Sequence, residues 1–350
     1  MTIRATFSRK PAVVLLAGLL LLLPATGDAC RMYAAIGANL PDGMLYDHLR
    51  GDDTDFPYAL YYLAPQNDDG WGIGYYPQFG GLPTIARGEP MAQNDPAYMA
   101  TVVAIDTPPE PQITLAHVRK GTSGCYNVPN PHPFYRDKVG KRWLFEHNGG
   151  VNKTRMEDLI GSAYLASNPP NGSGIPACAS GVVDSELYFL FVLKKIEEYG
   201  WNVVNGSAAA IRAMVAAGET GAINFILSNG ETLWAFRKGT SSHTLNYLHD
   251  SANGYSAVAS QYPSAARGSW VSMNNYQLVI LTRNAAPVVI NDVRTYCPGD
   301  IDKDGLANGA DLAAFAGNFG RTGGGDLDFD GDVDGSDLAA LVAVYGQPCP

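Results

Sequence analysis

Long apolar runs are scarce in this sequence. The longest, from Ala12 to Leu23, holds 12 residues, whereas a helix that crosses a bilayer needs about 20. This run follows a basic N-terminal stretch and precedes a proline and several small residues, which is the order of a secretion signal. We therefore predict a signal peptide over residues 1–29, cleavage between Ala29 and Cys30, and a secreted or periplasmic protein without a membrane span.

Cysteine is also scarce, and its count is odd. The chain has 5 cysteines, and in an oxidising compartment an odd number leaves one thiol unpaired. If Cys125 pairs with Cys178, and Cys297 with Cys349, the unpaired residue is Cys30, which signal cleavage would place at the new N-terminus. Other pairings, a lipid-modified Cys30 and a structural disulfide at that residue remain alternatives. We interpret Cys30 as a catalytic N-terminal thiol.

Positive charge is low as well, and the net charge is −10. The sequence therefore shows no basic surface of the kind that binds nucleic acid, and no nucleic-acid partner is expected. The negative charge is concentrated in residues 297–350, which contain ten Asp, no Glu, and only Lys303 and Arg321 as basic residues. So much acid in so short a segment indicates cation binding.

This acidic tail contains two copies of a repeat with a 26-residue period. The first copy, DIDKDGLANGADLAAFAGNFG, begins at Asp300, and the second, DLDFDGDVDGSDLAALVAVYG, begins at Asp326. Each copy has oxygen-bearing side chains at positions 1, 3, 5, 9 and 12, a glycine at position 6, and a position 7 that can offer its backbone carbonyl. Because Ca²⁺ takes about six to eight oxygen ligands, the spacing predicts two calcium sites. The predicted ligands are Asp300, Asp302, Asp304, Leu306, Asn308 and Asp311 in the first loop, and Asp326, Asp328, Asp330, Asp332, Asp334 and Asp337 in the second.

The two repeats, over residues 299–346, resemble the dockerin type I repeat, which is an EF-hand loop followed by a helix. The resemblance implies a small all-α, EF-hand-like module at residues 297–350, with Ca²⁺ as its cofactor and a cohesin-like protein as its partner. A unit of this size buries little surface, so metal binding is expected to supply much of its folding free energy. An acidic, solvated tail is the alternative.

Residues 30–292 predict a domain of the α+β class. Seven stretches rich in aromatic and β-branched residues read as strands: CRMYAAIGA, GWGIGYY, ITLAHVR, RWLFEHNG, INFILSNG, TLWAFRKG and NYQLVILTR. Helical patterns occur at about residues 183–199 and 207–217. We expect sheets covered by helices, joined to the tail without a long linker.

Six strings in this domain occur in a distinctive order: CRMYAAIGAN, NDDGWGIGYY, AHVRKGTSG, NPHPF, FEHNGGV and DSE. Together they resemble the class II glutamine amidotransferase domain, stand-alone branch, of the N-terminal-nucleophile (Ntn) hydrolase superfamily. The resemblance implies a four-layer αββα sandwich with Cys30 as nucleophile and with Asn148 and Gly149 as oxyanion donors. It also implies that Arg119 holds the substrate carboxylate and Asp184 the substrate ammonium group. The alternatives are a hairpin turn at Asn148-Gly149, a surface arginine, and a helix N-cap aspartate.

These residue types suit the hydrolysis of a γ-glutamyl amide. A terminal cysteine carries a thiol and an α-amino group whose pKa is near 8, so the amine can accept the thiol proton. The far end of glutamine carries an α-carboxylate and an α-ammonium group, so a binding site for it needs one fixed cation and one fixed anion. We expect cleavage of the γ-amide of glutamine or of a γ-glutamyl compound, without a cofactor for catalysis; His117, His132 and His147 do not form a zinc site. An acylase acting on another amide, and an inactive binding module in a dockerin-based assembly, are the alternatives.

Overall fold

The computed structural model describes residues 29–52, 54–125, 130–170, 182–264, 268–321 and 324–349. The predicted signal peptide, apart from Ala29, lies outside the described residues, and so does Cys178. Within the described part of the chain, no helix has the length and apolar character needed to cross a membrane.

Two antiparallel sheets form the centre of the larger domain. The seven-stranded sheet has the order β11-β9-β10-β1-β4-β2-β3, and the six-stranded sheet has the order β13-β12-β8-β7-β6-β5. The strands are β1 (Arg31–Gly37), β2 (Trp71–Tyr76), β3 (Thr84–Gly88), β4 (Ile113–Val118), β5 (Phe134–Lys138), β6 (Lys141–Gly149), β7 (Ile223–Ser228), β8 (Leu233–Phe236), β9 (Asn246–Asp250), β10 (Tyr255–Ala259), β11 (Val271–Ser272), β12 (Leu278–Leu281) and β13 (Val288–Ile290). All seven predicted strands are present.

Helices cover the outer faces of both sheets. They are α1 (Met44–Leu49), α2 (Leu60–Leu63), α3 (Pro96–Ile105), α4 (Lys153–Ile160), α5 (Ser162–Ser167), α6 (Asp184–Glu198) and α7 (Val203–Ala216). Side chains of α1 to α3 pack on the seven-stranded sheet, and those of α4, α6 and α7 pack on the six-stranded sheet. A third apolar cluster fills the space between the sheets. The expected αββα layering is therefore what the structure shows.

Strand periodicity decides which side chains reach the space between the sheets. Successive residues of a strand point to opposite faces, and Met32 of β1 and Leu144 of β6 belong to the cluster between the sheets. Tyr33 and Phe145, their neighbours in sequence, pack against the outer helices instead. Asn148 lies four residues after Leu144 in the same strand, so its side chain shares the inner face.

Of the helices described in the larger domain, the sequence predicts only α6 and α7, and α1 to α5 are additions that the structure makes. The two predicted helices also differ from the prediction in detail. Helix α7 begins at Val203, before the expected start, because Asn202 is its N-cap and accepts a hydrogen bond from the Asn205 N–H. The N-cap of α6 is Val183, which makes no side-chain capping bond, and Asp184 is the first residue of the helix. The N-cap interpretation of Asp184 is wrong, and its carboxylate is used elsewhere.

The tail folds into two short helices, each preceded by an acidic loop. Helices α8 (Gly309–Asn318) and α9 (Gly335–Val344) begin at equivalent positions of the two repeats. A small cluster that includes Phe315 and Leu341 holds them together. Cys297 and Cys349 form a disulfide with a Cα–Cα distance of 5.0 Å, which is one of the pairings that the sequence left open. The tail also touches the larger domain, where the Asn202 side chain donates to the Leu327 carbonyl at 2.9 Å.

Candidate active site

Cys30 lies immediately before β1, in the middle of the seven-stranded sheet. Because β1 and β4 run antiparallel, the start of β1 lies beside the end of β4, where Arg31 pairs with Val118. The Cys30 Sγ is 3.3 Å from the Lys120 backbone N and 3.4 Å from the Lys120 carbonyl oxygen. Cys30 is a free, half-buried cysteine, whereas Cys125 is disulfide-bonded. The prediction that Cys30 is the unpaired thiol is confirmed among the described residues.

The charges around this thiol oppose one another. Burial raises the pKa of the Cys30 thiol, and the Asp184 carboxylate raises it slightly further. The Lys120 backbone N–H and the guanidinium groups of Arg119 and Arg31 lower that pKa, because they stabilise the thiolate. Burial outweighs these stabilising groups, so the pKa of the Cys30 thiol is raised overall.

Arg119 is buried and organises the segment that follows β4. Its Nη1 donates to the Cys125 carbonyl at 2.7 Å and its Nη2 to the Ser123 carbonyl at 2.8 Å. The surface-arginine alternative is wrong, since only 3% of Arg119 is exposed. The sequence did not predict these contacts, through which the guanidinium is held within electrostatic range of Cys30.

Asp184 links helix α6 to the chain that follows β6. Its buried Oδ2 accepts a hydrogen bond from the Val151 N–H at 3.0 Å. Val151 follows the Asn148-Gly149 pair by two residues, so this contact ties the predicted ammonium-binding residue to the predicted oxyanion donors. The carboxylate also acts on Cys30 electrostatically. The structure thus brings Asp184, Arg119 and Cys30 to the same end of the sandwich.

Asn148 and Gly149 end strand β6. They pair with Asn224 and Ile223 of β7, so the hairpin-turn alternative is wrong. The Asn148 side chain is fully buried, and neither its Oδ1 nor its Nδ2 finds a partner among the described residues. Buried amides normally have partners, so an orphaned amide at the end of the space between the sheets is available to a ligand.

Gly149 is required for steric reasons. Its φ of 147° is one that side-chain-bearing residues rarely adopt, and an added Cβ would lie 1.9 Å from the Ala222 carbonyl oxygen.

We predict that Gly149→Ala lowers the free energy of unfolding by about 3 kcal/mol, because the Ala222 backbone must move. Gly140→Ala is the matched control, since Gly140 also has a positive φ but nothing within 4 Å of the added Cβ; we expect a cost of about 1 kcal/mol there. Urea unfolding compares the two, and equal losses would contradict the steric account.

Three histidines and a glutamate lie buried near these residues. The rings of His117 and His132 lie with their centroids 4.3 Å apart and are tilted by 39° to each other, and the Nδ1 of His147 is 2.8 Å from the Ser185 Oγ. Burial, with help from the Arg119 charge, lowers the pKa of His117 to about 3, so this imidazole is neutral. Burial also favours the neutral form of Glu146, and it raises the pKa of that carboxyl group well above its usual value. No pattern in the sequence predicts a role for Glu146, although it belongs to the FEHNGGV string.

The acidic loops of the tail bring several of the predicted ligand aspartates close together, in one group in the first loop and in two separate groups in the second. Ligand oxygens of the four aspartates in the first loop lie within 4.8 Å of one another, and those of the second loop form two such groups of three. The first-loop group is Asp300, Asp302, Asp304 and Asp311, and the second-loop groups are Asp326, Asp328 and Asp330, and Asp332, Asp334 and Asp337. Asn308 caps α8 by accepting from the Ala310 N–H at 2.7 Å. Leu306 forms a β-bridge with Pro348.

The second loop contains a buried oxygen that lacks a partner. The Oδ1 of Asp326 has no hydrogen bond among the described residues. Burial and the nearby carboxylates raise the pKa of Asp326 to about 6 and that of Asp328 to about 7. A loop with so many carboxylate oxygens fits a hard divalent cation. The cation would contact the Asp326 Oδ1 and offset the repulsion between the carboxylates.

Comparison with known proteins places residues 61–259 in a single family, described as glutamine amidotransferases class-II. The matched stretch contains Arg119, Asn148, Gly149 and Asp184 and begins after Cys30. An uncharacterised protein of Methanocaldococcus jannaschii is 31% identical over 187 residues, which are 53% of this chain and 47% of that protein. A candidate glutamine amidotransferase of Haemophilus influenzae is 33% identical over 128 residues, which are 35% of this chain and 37% of that protein.

A third relative, a candidate glutamine amidotransferase of Escherichia coli named YafJ, is 30% identical over 48% of this chain and 60% of its own length. The chain thus spans less than two thirds of each of these curated relatives. Among solved structures, one titled as the allosteric regulatory enzyme of purine biosynthesis is 14% identical, with a TM-score of 0.53 over 77% of this chain and 50% of that one. At that identity the likeness shows the fold alone. Because the family match takes in more than half of the chain, the protein belongs to the class-II glutamine amidotransferases.

Proposed function

We propose that this protein is an exported amidohydrolase whose N-terminal cysteine cleaves the γ-amide of glutamine or of a γ-glutamyl compound. The observation that carries the proposal is the placement of a free Cys30 thiol at the start of a central strand, with a buried arginine and a buried aspartate in electrostatic range. Signal cleavage before Cys30 belongs to the proposal, because the reaction needs a free α-amino group on that residue.

The proposed reaction begins with proton transfer from the Cys30 thiol to its own α-amino group. The sulfur attacks the γ-carbonyl carbon, and the negative charge that develops on the carbonyl oxygen is stabilised by the Asn148 side-chain N–H and the Gly149 backbone N–H. The tetrahedral intermediate collapses to a thioester while the α-ammonium group returns its proton to the departing ammonia or amine. Water then attacks the thioester, gives one proton to the amine, and releases glutamate with the thiol restored.

The other end of the substrate needs two fixed charges. A carboxylate is best held by a guanidinium, which presents paired donors, and we assign Arg119 to that role. An α-ammonium group needs an anion, and we assign it to Asp184. Burial of both side chains strengthens these interactions relative to water and favours a zwitterionic substrate over a simple amide.

The direct test is to incubate the mature protein with glutamine, γ-glutamyl peptides and glutathione and to measure released glutamate. We expect release from at least one of these substrates. An acylase of different specificity would leave all three intact while cleaving another amide. An inactive binding module would do neither and would not be labelled at Cys30 by the glutamine-mimicking electrophile diazo-oxo-norleucine.

We further propose that the tail binds two calcium ions and docks the enzyme on a partner such as a cohesin-like protein. The aspartates of the two loops, with the carbonyl of Leu306 and the side chain of Asn308 in the first, would hold the ions. A bound Ca²⁺ supplies charge neutralisation and fixes the loops that lead into the helices. The orphaned Asp326 Oδ1 supports this assignment. Exposed apolar side chains at equivalent positions of the two helices, Leu312 and Leu338, offer a surface for a partner.

Calcium binding by the full chain should be lost in part when one loop is altered. We predict two Ca²⁺ ions per chain for the unaltered protein by isothermal titration calorimetry, and one for Asp326→Asn, which keeps the shape of the side chain but removes its charge. Calcium at 100 times its Kd should stabilise the tail by about 2.7 kcal/mol per site. Asp158→Asn, at an exposed aspartate of α4, is the control and should bind two ions. Equal stoichiometry for all three proteins would contradict the second site.

A further inference from the structure

Arg31 contacts both sides of the proposed cleavage point. It is the first residue of β1 and is 93% buried, with a relative exposure of 7%. Its Nη1 donates to the Ala29 carbonyl at 2.5 Å and to the Cys30 carbonyl at 3.1 Å. A long cationic side chain thus folds back onto the two peptide groups that precede it, at the residue that the catalytic proposal makes N-terminal.

This geometry fixes how close the guanidinium is to the future amine. The Ala29 carbonyl carbon is bonded to the Cys30 nitrogen, and the C=O and C–N bonds are about 1.23 and 1.33 Å long. The Cys30 nitrogen therefore lies within about 5 Å of the Arg31 Nη1. Cleavage removes the Ala29 carbonyl but leaves the Cys30 carbonyl. The guanidinium therefore loses its hydrogen bond to Ala29 and keeps its hydrogen bond to Cys30.

We propose that Arg31 is a positioning residue which, once Ala29 is removed, stays on the Cys30 carbonyl beside the new α-amino group and keeps that amine in its neutral, proton-accepting form. The inference rests on the proposed function, in which the α-amino group accepts the proton of the Cys30 thiol. It adds a residue that lies outside the family match, which begins at residue 61.

The electrostatic balance at the amine can be stated from its neighbours. Arg31 comes from β1, Arg119 from the segment after β4, and Asp184 from α6, and all three act on Cys30. The Lys120 ammonium, from the same segment as Arg119, is paired with Asp68 at 3.0 Å. His243 lies in the segment before β9, and its pKa is lowered by burial first and then by the Arg31 guanidinium. Two buried cations and one buried anion therefore act on Cys30, and of these Arg31 is the one that the geometry places beside the Cys30 nitrogen.

The sign of the effect follows from this balance. A nearby cation disfavours the ammonium form, so Arg31 lowers the pKa of the amine below its ordinary value near 8, and it also favours the thiolate. Removing the Arg31 charge raises the pH at which the amine and thiol together lose their first proton. The acid limb of the pH profile of kcat/KM should move upward accordingly.

The experiment compares Arg31→Gln, which keeps a hydrogen-bond donor but loses the charge, with Arg31→Lys, which keeps the charge. We expect the acid limb of kcat/KM to move up by about one pH unit in Arg31→Gln and by much less in Arg31→Lys. Arg142→Gln is the control, because Arg142 pairs with Asp137 at an exposed site and lies seven residues, roughly 23 Å, from Gly149 along β6. Its profile should match that of the unaltered protein.

A second readout separates this inference from the catalytic proposal. The rate of Cys30 alkylation by iodoacetamide, followed by peptide mass spectrometry across pH, should show the same upward shift in mature Arg31→Gln. If the unaltered protein releases no glutamate but the alkylation profile still shifts, the proposed activity fails while the role of Arg31 stands. If the alkylation and turnover profiles of Arg31→Gln coincide with those of the unaltered protein, the role of Arg31 is overturned. An equal shift in Arg31→Lys would also overturn it, because the charge would then not be the cause.

Discussion

Replacing Cys30 by alanine should abolish the release of glutamate while leaving the fold intact. The thiol is the atom that forms the thioester, so no other group can take over its step. Loss of a covalent nucleophile lowers kcat by a factor on the order of 10⁶. The structural cost is small, because the hydrogen bonds of the Cys30 Sγ to the Lys120 backbone, at 3.3 and 3.4 Å, involve sulfur, which is a weak donor and a weak acceptor.

The measurement is glutamate release at saturating substrate, with thermal unfolding as the check on the fold. Cys30→Ser is the companion variant, since it keeps the α-amino group and a poorer nucleophile of similar size. We expect Cys30→Ser to be severely impaired and Cys30→Ala to be at the limit of detection, with unfolding midpoints close to that of the unaltered protein. A Cys30→Ala protein that retains a sizeable fraction of the activity would remove Cys30 from the mechanism.

Asn148→Ala should produce the second-largest effect, and it should fall on kcat. A single oxyanion donor contributes about 2.7 to 4 kcal/mol to the transition state, so we expect a loss of about 10² to 10³ in kcat. KM should change little, because the donor acts on charge that develops during the reaction. Stability should also change little, since the Asn148 amide has no hydrogen-bond partner among the described residues that the substitution would break.

Asn224 provides a matched contrast for this test. It pairs with Asn148 across β6 and β7, yet its amide is fully engaged, donating to the His243 carbonyl at 2.9 Å and accepting from the Lys238 N–H at 2.9 Å. Asn224→Ala should therefore lower the free energy of unfolding by about 1 to 3 kcal/mol and reduce kcat far less than Asn148→Ala does. If the two substitutions behave alike, Asn148 is a structural residue and the oxyanion assignment is wrong.

The strands could be predicted because their residues carry a local pattern. β-branched and aromatic residues bounded by Gly or Asn mark β1, β4 and β6 directly in the sequence, and all three are central strands. Helix α3 was missed, although Asp95 before Pro96 is a typical helix start. Its apolar residues are spread around the helix, so no 3.6-residue stripe marks it.

The candidate site was predictable in its members but not in its contacts. Arg119 and Asp184 followed from ordered strings, whereas the bonds of Arg119 to its own segment and of Asp184 to the Val151 N–H depend on tertiary packing. The requirement for glycine at residue 149 was equally hidden, because it comes from the Ala222 carbonyl, which lies 73 residues away in the sequence. Arg31 did have a sequence signal, a cation adjacent to the nucleophile, but only the structure shows which peptide groups it contacts.

The most direct test of the central claim is mass spectrometry of the mature protein after exposure to diazo-oxo-norleucine. The account predicts an N-terminal peptide that begins at Cys30, carries a free α-amino group, and bears the electrophile on the Cys30 sulfur. A chain that begins at another residue, or a Cys30 that carries lipid, forms a disulfide or stays unlabelled, would contradict it.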